Sequence, residues 1–281
     1  MRTIITDQQM DAERALYHLQ HADLLRCRFE GPADGESALK EAHDVSVKDC
    51  SFSLRYPFWH ITDFSIAHST MNELTRAAIW YAADGRITDS ELSGIKAVRE
   101  CKNITIDNCT VVSAEFGWKS QQLTLTNTCL TGEYPFFDSR DLVLNNVELH
   151  GKYSFQYVEN LTIEHCDLDT KDAFWHSKNV VVKDSIIKGE YLGWYAENLT
   201  FIRCKIIGTQ PLCYCKGLTL VDCTMEGADF AFEYSEVQAD IKGRLLSVKN
   251  PKAGRIVCDG VDEIITEDPV IECTGEVILR K

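Results

Sequence analysis

The segments Asn160–Leu168 (NLTIEHCDL), Asn179–Ile187 (NVVVKDSII) and Asn198–Ile206 (NLTFIRCKI) are copies of one pattern set nineteen residues apart. Each has apolar residues at alternate positions, rich in β-branched and aromatic types, which is a strand signal. Taking the second apolar residue as an anchor, the same step runs through Ile106, Leu125, Leu144, Ile163, Val182, Phe201 and Leu220. Towards the N-terminus the copies are VSVKDCSF from Val45, FSIAHSTM from Phe64 and RITDSEL from Arg86, with a weaker LLRCRF from Leu24. The step there is less regular: nineteen from Val47 to Ile66, then twenty-one to Ile87. Beyond Leu220 an apolar beat continues at Ile241, Leu246, Ile256, Ile264 and Val277. Helical repeats would need apolar spacings of three and four, and leucine-rich repeats a Leu/Asn consensus, and both are absent. The pattern predicts an all-β chain, a single-stranded right-handed parallel β-helix with about 19 residues per coil and roughly 11–12 coils.

In such a solenoid, residues nineteen apart stack, so columns of sequence become surfaces. Asn103, Asp141, Asn160, Asn179 and Asn198 fill a column just before the main strand, where Asn and Asp suit a left-handed turn. Gly94, Gly132, Gly151, Gly189, Gly208 and Gly227 mark a second corner. Cys50, Cys109, Cys166, Cys204 and Cys223 alternate with Ser69, Ser90, Thr128, Val147 and Ser185 in a third, which reads as a small packed position. One cysteine per rung offers no convergent ligands, so no metal site is expected. The histidines His18, His21, His43, His68, His150 and His165 share no column.

The chain has 281 residues, with 44% hydrophobic and 26% charged residues, and 43 acidic against 29 basic residues give a net charge of −14. That balance repels nucleic acid and anionic membrane surfaces, and it disfavours polyuronates. No apolar run is long enough for a membrane span. The first residues lack a secretory h-region, and 12 cysteines without one fit a reducing compartment, so a cytoplasmic location is expected. Nothing in the sequence calls for a cofactor.

The copies NLTIEHC and NLTFIRC resemble the repeats of right-handed parallel β-helix proteins of the pectin-lyase-like superfamily. More narrowly, GESALKE, YPFWH, KDAFWHS, GEYLGWYA, QPLCYC, FAFEYSEV and VKNPKAGRI resemble the marks of a bacterial β-helix family of unknown function. The resemblance spans nearly the whole chain and implies the fold. It implies no catalytic residues, and the Asn-Thr-Asp, Asp-Asp, His-Gly and Arg-Ile-Lys motifs of polygalacturonases are missing. The Ca²⁺ cluster and catalytic Arg arrangement of pectate lyases cannot be mapped onto it either.

The irregular half of each coil carries the chemistry. Phe58-Trp59-His60, Gly117-Trp118-Lys119, Phe136-Phe137-Asp138, Phe155-Gln156-Tyr157, Phe174-Trp175-His176, Gly193-Trp194-Tyr195, Leu212-Cys213-Tyr214 and Ala231-Phe232-Glu233 recur in register, and the coil with the two-residue insertion adds Trp80-Tyr81. Read as strands, these point the Trp column inward and leave His60, Tyr81, Lys119, Asp138, Tyr157, His176, Tyr195, Tyr214 and Glu233 outward. Aromatic rings and hydrogen-bonding groups in one stripe suit a neutral oligosaccharide or another small molecule, with His60, Tyr81, Lys119, Tyr157, Tyr195 and Tyr214 as ligand contacts. Acid/base chemistry on a glycosidic bond needs two carboxyls about 5–9.5 Å apart. Asp138, Asp172, Glu190 and Glu233, together with His176, are the candidates for a hydrolase or lyase-like reaction. The alternative is a non-enzymatic scaffold, using the flat sheet to bind a partner or a second copy of itself. One domain, 1–281, is expected, with an N-terminal cap over 1–23, regular coils over 24–235 and irregular coils with a cap over 236–281. Thr6 to Gln20 reads as a short helix or irregular cap, and Gly31 to His43 as a protruding loop.

Overall fold

The computed structural model describes residues 2–281 and is an all-β, right-handed parallel solenoid with about 19 residues per coil. It makes about 15 turns, more than the periodic segments alone account for, because both ends add rungs. The chain divides into two compact units, one ending at Val143 and the other running from Leu144 to Lys281. Among the described residues no helix is long and apolar enough to cross a membrane.

In the first unit the strands Thr3–Thr6, Gln20–Leu25, His43–Lys48, Thr62–Ala67, Ala83–Thr88, Lys102–Asp107 and Gln121–Thr126 pair in parallel, each with the next. Leu24, Val47, Ile66, Ile87, Ile106 and Leu125 stack in register and are 0–1% exposed. Burying each such side chain is worth about 1.5–3 kcal/mol. The twenty-one-residue step between Ile66 and Ile87 leaves this register intact, because a 3₁₀ turn over Glu73–Thr75 absorbs the two extra residues at a corner. Thr6 to Gln20 holds no helix. It contains the strand Gln9–Met10, paired with Arg28–Phe29, and a turn segment whose Arg14 and Leu16 N–H groups donate to Glu36 and Ala38 carbonyls at 2.8 Å. Gly31 to His43 does not protrude: Ser37 and Leu39 donate to the Arg55 and Pro57 carbonyls at 2.8 Å, and Leu39 is fully buried. Its Ala38, Leu39 and Ala42 face the interior, so the segment is a coil wall.

In the second unit Glu159–Glu164, Lys178–Lys183, Glu197–Ile202, Leu218–Glu226, Glu236–Lys242, Ala253–Cys258 and Glu276–Leu279 continue the same parallel pairing. Ile163, Val182, Phe201 and Leu220 stack in register, followed by Ala239, Ile256 and Val277. The loosened C-terminal pattern thus still builds rungs, with a register shift between Leu220 and Cys223.

The turn columns behave as their residue types require. Asp84, Asn103 and Asp141 in the first unit, and Asn160, Asn179 and Asn198 in the second, have φ between 55° and 60°. Their side chains bond along the ladder, Asn103 to Asp84 at 2.6 Å and Asn198 to Asn179 at 3.0 Å. Gly208 has φ 140°, and a Cβ there would lie 2.0 Å from the Gly189 carbonyl oxygen, so the corner excludes a side chain. Gly132 and Gly151 instead sit in strand ends, Cys129–Gly132 and Glu148–Lys152. In the Cys/Ser column each hydroxyl or thiol bonds the carbonyl two residues back and meets the N–H of the preceding rung. Ser69 Oγ donates to Ala67 O at 2.9 Å and accepts from Cys50 N at 3.1 Å. All twelve cysteines are free thiols. Burial pushes the Cys50 thiol up to about 11 and Cys101 to about 12, which removes thiolate reactivity.

Candidate functional site

The triplet segments are chiefly turns rather than strands, and this changes which column faces where. In the first unit two-residue strands remain, Phe58–Trp59, Ile79–Trp80 and Val98–Arg99. The fully buried column is the first member of each triplet: Phe58 and Phe136 in the first unit, Phe155, Phe174 and Leu212 in the second. The Trp column expected to point inward is half-buried instead, except at Cys213, which is buried. The third member adopts φ of 51–60°, at His60, Tyr81, Lys119 and Asp138 in the first unit and Tyr157, His176, Tyr195 and Tyr214 in the second. A left-handed residue ends the wall and turns its side chain outward, so the outward assignment holds for a different reason from strand parity.

In the second unit these residues form a continuous ladder. Tyr157 stacks on His176 at 4.9 Å, His176 on Tyr195 at 5.1 Å, and Tyr195 on Tyr214 at 4.8 Å, with ring planes within 14° of parallel. Tyr234, not Glu233, follows Tyr214, at 5.7 Å. The reason is a one-residue insertion: Cys215 N bonds Ser235 Oγ twenty residues on, where the same column bonds nineteen on at Cys101–Ser120 and Ser120–Ser139, and Tyr214 N reaches Glu233 O where Tyr195 N reaches Cys213 O. Glu233 therefore moves into the half-buried Trp column and pairs with Lys249 at 2.8 Å. Burial, reinforced by the Glu233 charge, pushes the Tyr214 hydroxyl up to about 12.

Beside the ladder runs a row whose side chains reach sixteen residues ahead to a corner carbonyl. Gln156 donates to Asp172 O at 3.2 Å, Trp175 to Tyr191 O at 2.6 Å and Trp194 to Gln210 O at 2.9 Å. The Trp175 and Trp194 rings stack at 5.4 Å. At that corner Asp172 has φ 53° and is 8% exposed. Burial raises its pKa, and the Glu190 charge adds to the rise while Lys171 opposes it. The Asp172 N–H donates to the Glu190 carbonyl at 2.8 Å, so the two carboxyls stand on successive rungs. Glu190 itself is exposed. A shielded carboxyl with a raised pKa, one rung from an exposed carboxylate, places two acids in different environments, as acid/base chemistry requires.

In the first unit the ladder is shorter and more charged. His60 and Tyr81 stack at 5.0 Å, and Glu100 takes the next place, with its carboxylate bonded to the Tyr81 hydroxyl. Arg99 occupies the Trp column, 5.8 Å from the Trp118 ring, and pairs with Glu100 at 2.8 Å and Glu115 at 3.8 Å. Burial alone would raise the Glu100 pKa, but hydrogen bonds from Arg99 and Tyr81 hold it below the ordinary range. Lys119 and Asp138 complete the exposed column of this unit. Arg99 and Glu100 went unnoticed in the sequence because they replace aromatics; their position, nineteen residues before Trp118 and Lys119, was the available signal. Trp118 bonds Tyr134 O at 2.6 Å, whereas the Trp59 indole N–H has no hydrogen-bond partner. Among the described residues no group of three His, Cys, Asp or Glu side chains could hold a metal ion.

Solved structures similar to the chain are parallel β-helix proteins of the pectin-lyase-like type. The catalytic domain of a GH87 alpha-1,3-glucanase in complex with nigerose is 9% identical with a TM-score of 0.47, over 84% of this chain and 63% of that domain. The chain thus spans less than two thirds of the glucanase domain. The endo-xylogalacturonan hydrolase from Aspergillus tubingensis is 9% identical with a TM-score of 0.44, over 98% and 92%. The surface adhesin PfbA of Streptococcus pneumoniae is 9% identical with a TM-score of 0.40, over 85% and 83%. No curated protein matches the sequence. A family model described as "Protein of unknown function (DUF3737)" matches residues 3–278, and the chain belongs to that family.

Proposed function

We propose that the protein binds a neutral, hydroxyl-rich ligand, an oligosaccharide, along the Tyr157–His176–Tyr195–Tyr214 ladder of the second unit. The observation that carries this reading is the row of phenol and imidazole rings repeating every 4.8–5.1 Å, exposed at Tyr157, His176 and Tyr195 and half-buried at Tyr214. Because each ring covers its neighbour's face, a sugar cannot stack on the row and must be held by hydrogen bonds to Tyr hydroxyls and His nitrogens. The net charge of −14 favours a neutral glycan over an anionic one. If the ligand is also cleaved, Asp172 supplies the acid and Glu190 the carboxylate that assists it, since these two stand on successive rungs beside the ladder.

Calorimetric titration with neutral oligosaccharides tests the proposal. The expected result is a heat of binding lost in Tyr195→Phe, which keeps the ring and removes the hydroxyl. No heat with any neutral oligosaccharide would leave the ladder as a structural stack and return the chain to the scaffold reading. Unchanged turnover in Asp172→Asn and Glu190→Gln would remove the catalytic pair.

A further inference from the structure

The ladder of the second unit has a fixed end. Tyr214 N donates to Glu233 O at 2.7 Å and Tyr234 N to Asn250 O at 3.0 Å, so in register the place after Tyr234 falls to Pro251, which is buried and carries no hydroxyl. The chain between the strands Gly260–Ile265 and Glu276–Leu279 forms a strap there, with both feet on that rung. Asn250 N donates to Ile265 O at 2.9 Å and its Nδ2 to Glu267 O at 3.1 Å, while Thr274 N donates to Lys252 O at 2.9 Å. Between the feet, Val270 N donates to the Tyr234 hydroxyl at 3.2 Å. The Tyr234 ring is tilted 44° from Tyr214, whereas the three ring pairs before it lie within 14° of parallel. The hydroxyl that would have continued the row is thus engaged by the protein itself.

The strap gives a hydroxyl-rich chain little to hold. Val270 is 82% exposed and Ile271 42%, and a sugar hydroxyl brought against them loses water without gaining a partner. Glu267, Asp268 and Glu272 are exposed carboxylates, and the nearby cations Lys249 and Lys252 are paired with Glu233 and Glu236 at 2.8 and 2.6 Å, so an anionic chain end is repelled. We infer that the strap makes the ladder blind at Tyr234, so that the site holds the end of a neutral glycan chain and not a stretch from its middle. The inference rests on the binding reading of the ladder and adds which part of the chain is held.

The test is calorimetric stoichiometry with linear α-1,4-, β-1,4- and β-1,3-linked gluco-oligosaccharides, each series running from the disaccharide to long soluble chains. A blind ladder is expected to bind one protein per chain at every length in any series that binds, because a chain has one end of each kind. Deleting Pro269, Val270 and Ile271 removes the middle of the strap and keeps both feet, and it is expected to let several proteins share one long chain. A wild-type stoichiometry that rises with chain length, or a shortened strap that stays at one protein per chain, would overturn the inference and leave the ladder as a binding site. No heat in any series would remove the binding reading and this inference with it. Hydrogen exchange checks the closure without ligand: the Val270 amide is expected to exchange slowly in the wild type and severalfold faster in Tyr234→Phe, and equal rates would show that the strap does not close on the ladder.

Discussion

Removing the His176 ring tests whether the ladder of the second unit is both a stabilising stack and a set of ligand contacts. His176 is sandwiched between Tyr157 at 4.9 Å and Tyr195 at 5.1 Å, both rings within 11° of parallel. Two such pairs, at about 0.5–1.5 kcal/mol each, put the loss in His176→Ala at about 1–3 kcal/mol. The left-handed φ of 56° strains histidine and alanine alike and glycine not at all, so His176→Gly should recover about 1 kcal/mol of that loss. His176→Phe keeps the stack and removes the ring nitrogens, so stability should stay near wild type while affinity for the neutral oligosaccharide falls. Urea unfolding followed by circular dichroism gives the stabilities and calorimetry the affinities. His176→Ala as stable as wild type would refute the stacking argument, and His176→Phe binding with full affinity would refute recognition by ring edges.

Trp175→Phe leaves the Tyr191 carbonyl without its indole donor and should cost about 1–3 kcal/mol in the same unfolding assay. Asp172 holds its proton more tightly folded than unfolded, so its ionisation works against folding. The wild type should lose stability as pH rises from the unfolded value through the raised folded one, and Asp172→Asn should be the more stable protein at neutral pH without that slope. Gly208→Ala forces a Cβ against the Gly189 carbonyl at φ 140° and should lower the unfolding free energy by more than the roughly 1 kcal/mol of an ordinary Gly/Ala effect. Cys101 and Cys215, both fully enclosed with thiols near 12, should react with a thiol reagent only after urea unfolding; reaction at the rate of an exposed thiol would contradict their burial.

The regular half of each coil was legible because alternation and a constant step report the same thing, an inward column such as Ile163, Val182 and Phe201. The site half was less so, for three physical reasons. Strand parity fails where the chain turns, and this put Phe174 rather than Trp175 in the core. A single inserted residue next to two polar side chains leaves no trace in an apolar pattern, so Tyr234 could not be told from Glu233. Arg99 fills the Trp column with a planar cation, which stacks as an aromatic does but does not read as one.

The outward ladder gains one ring per coil, at a position where the backbone turn is the same each time. A duplication of nineteen residues within the second unit would therefore lengthen it by one ring and one set of polar atoms without redesigning any contact. Under the binding reading, coil number works as a ruler for the ligand: relatives with more or fewer coils should prefer proportionately longer or shorter chains, with affinity rising by a similar factor for each rung added.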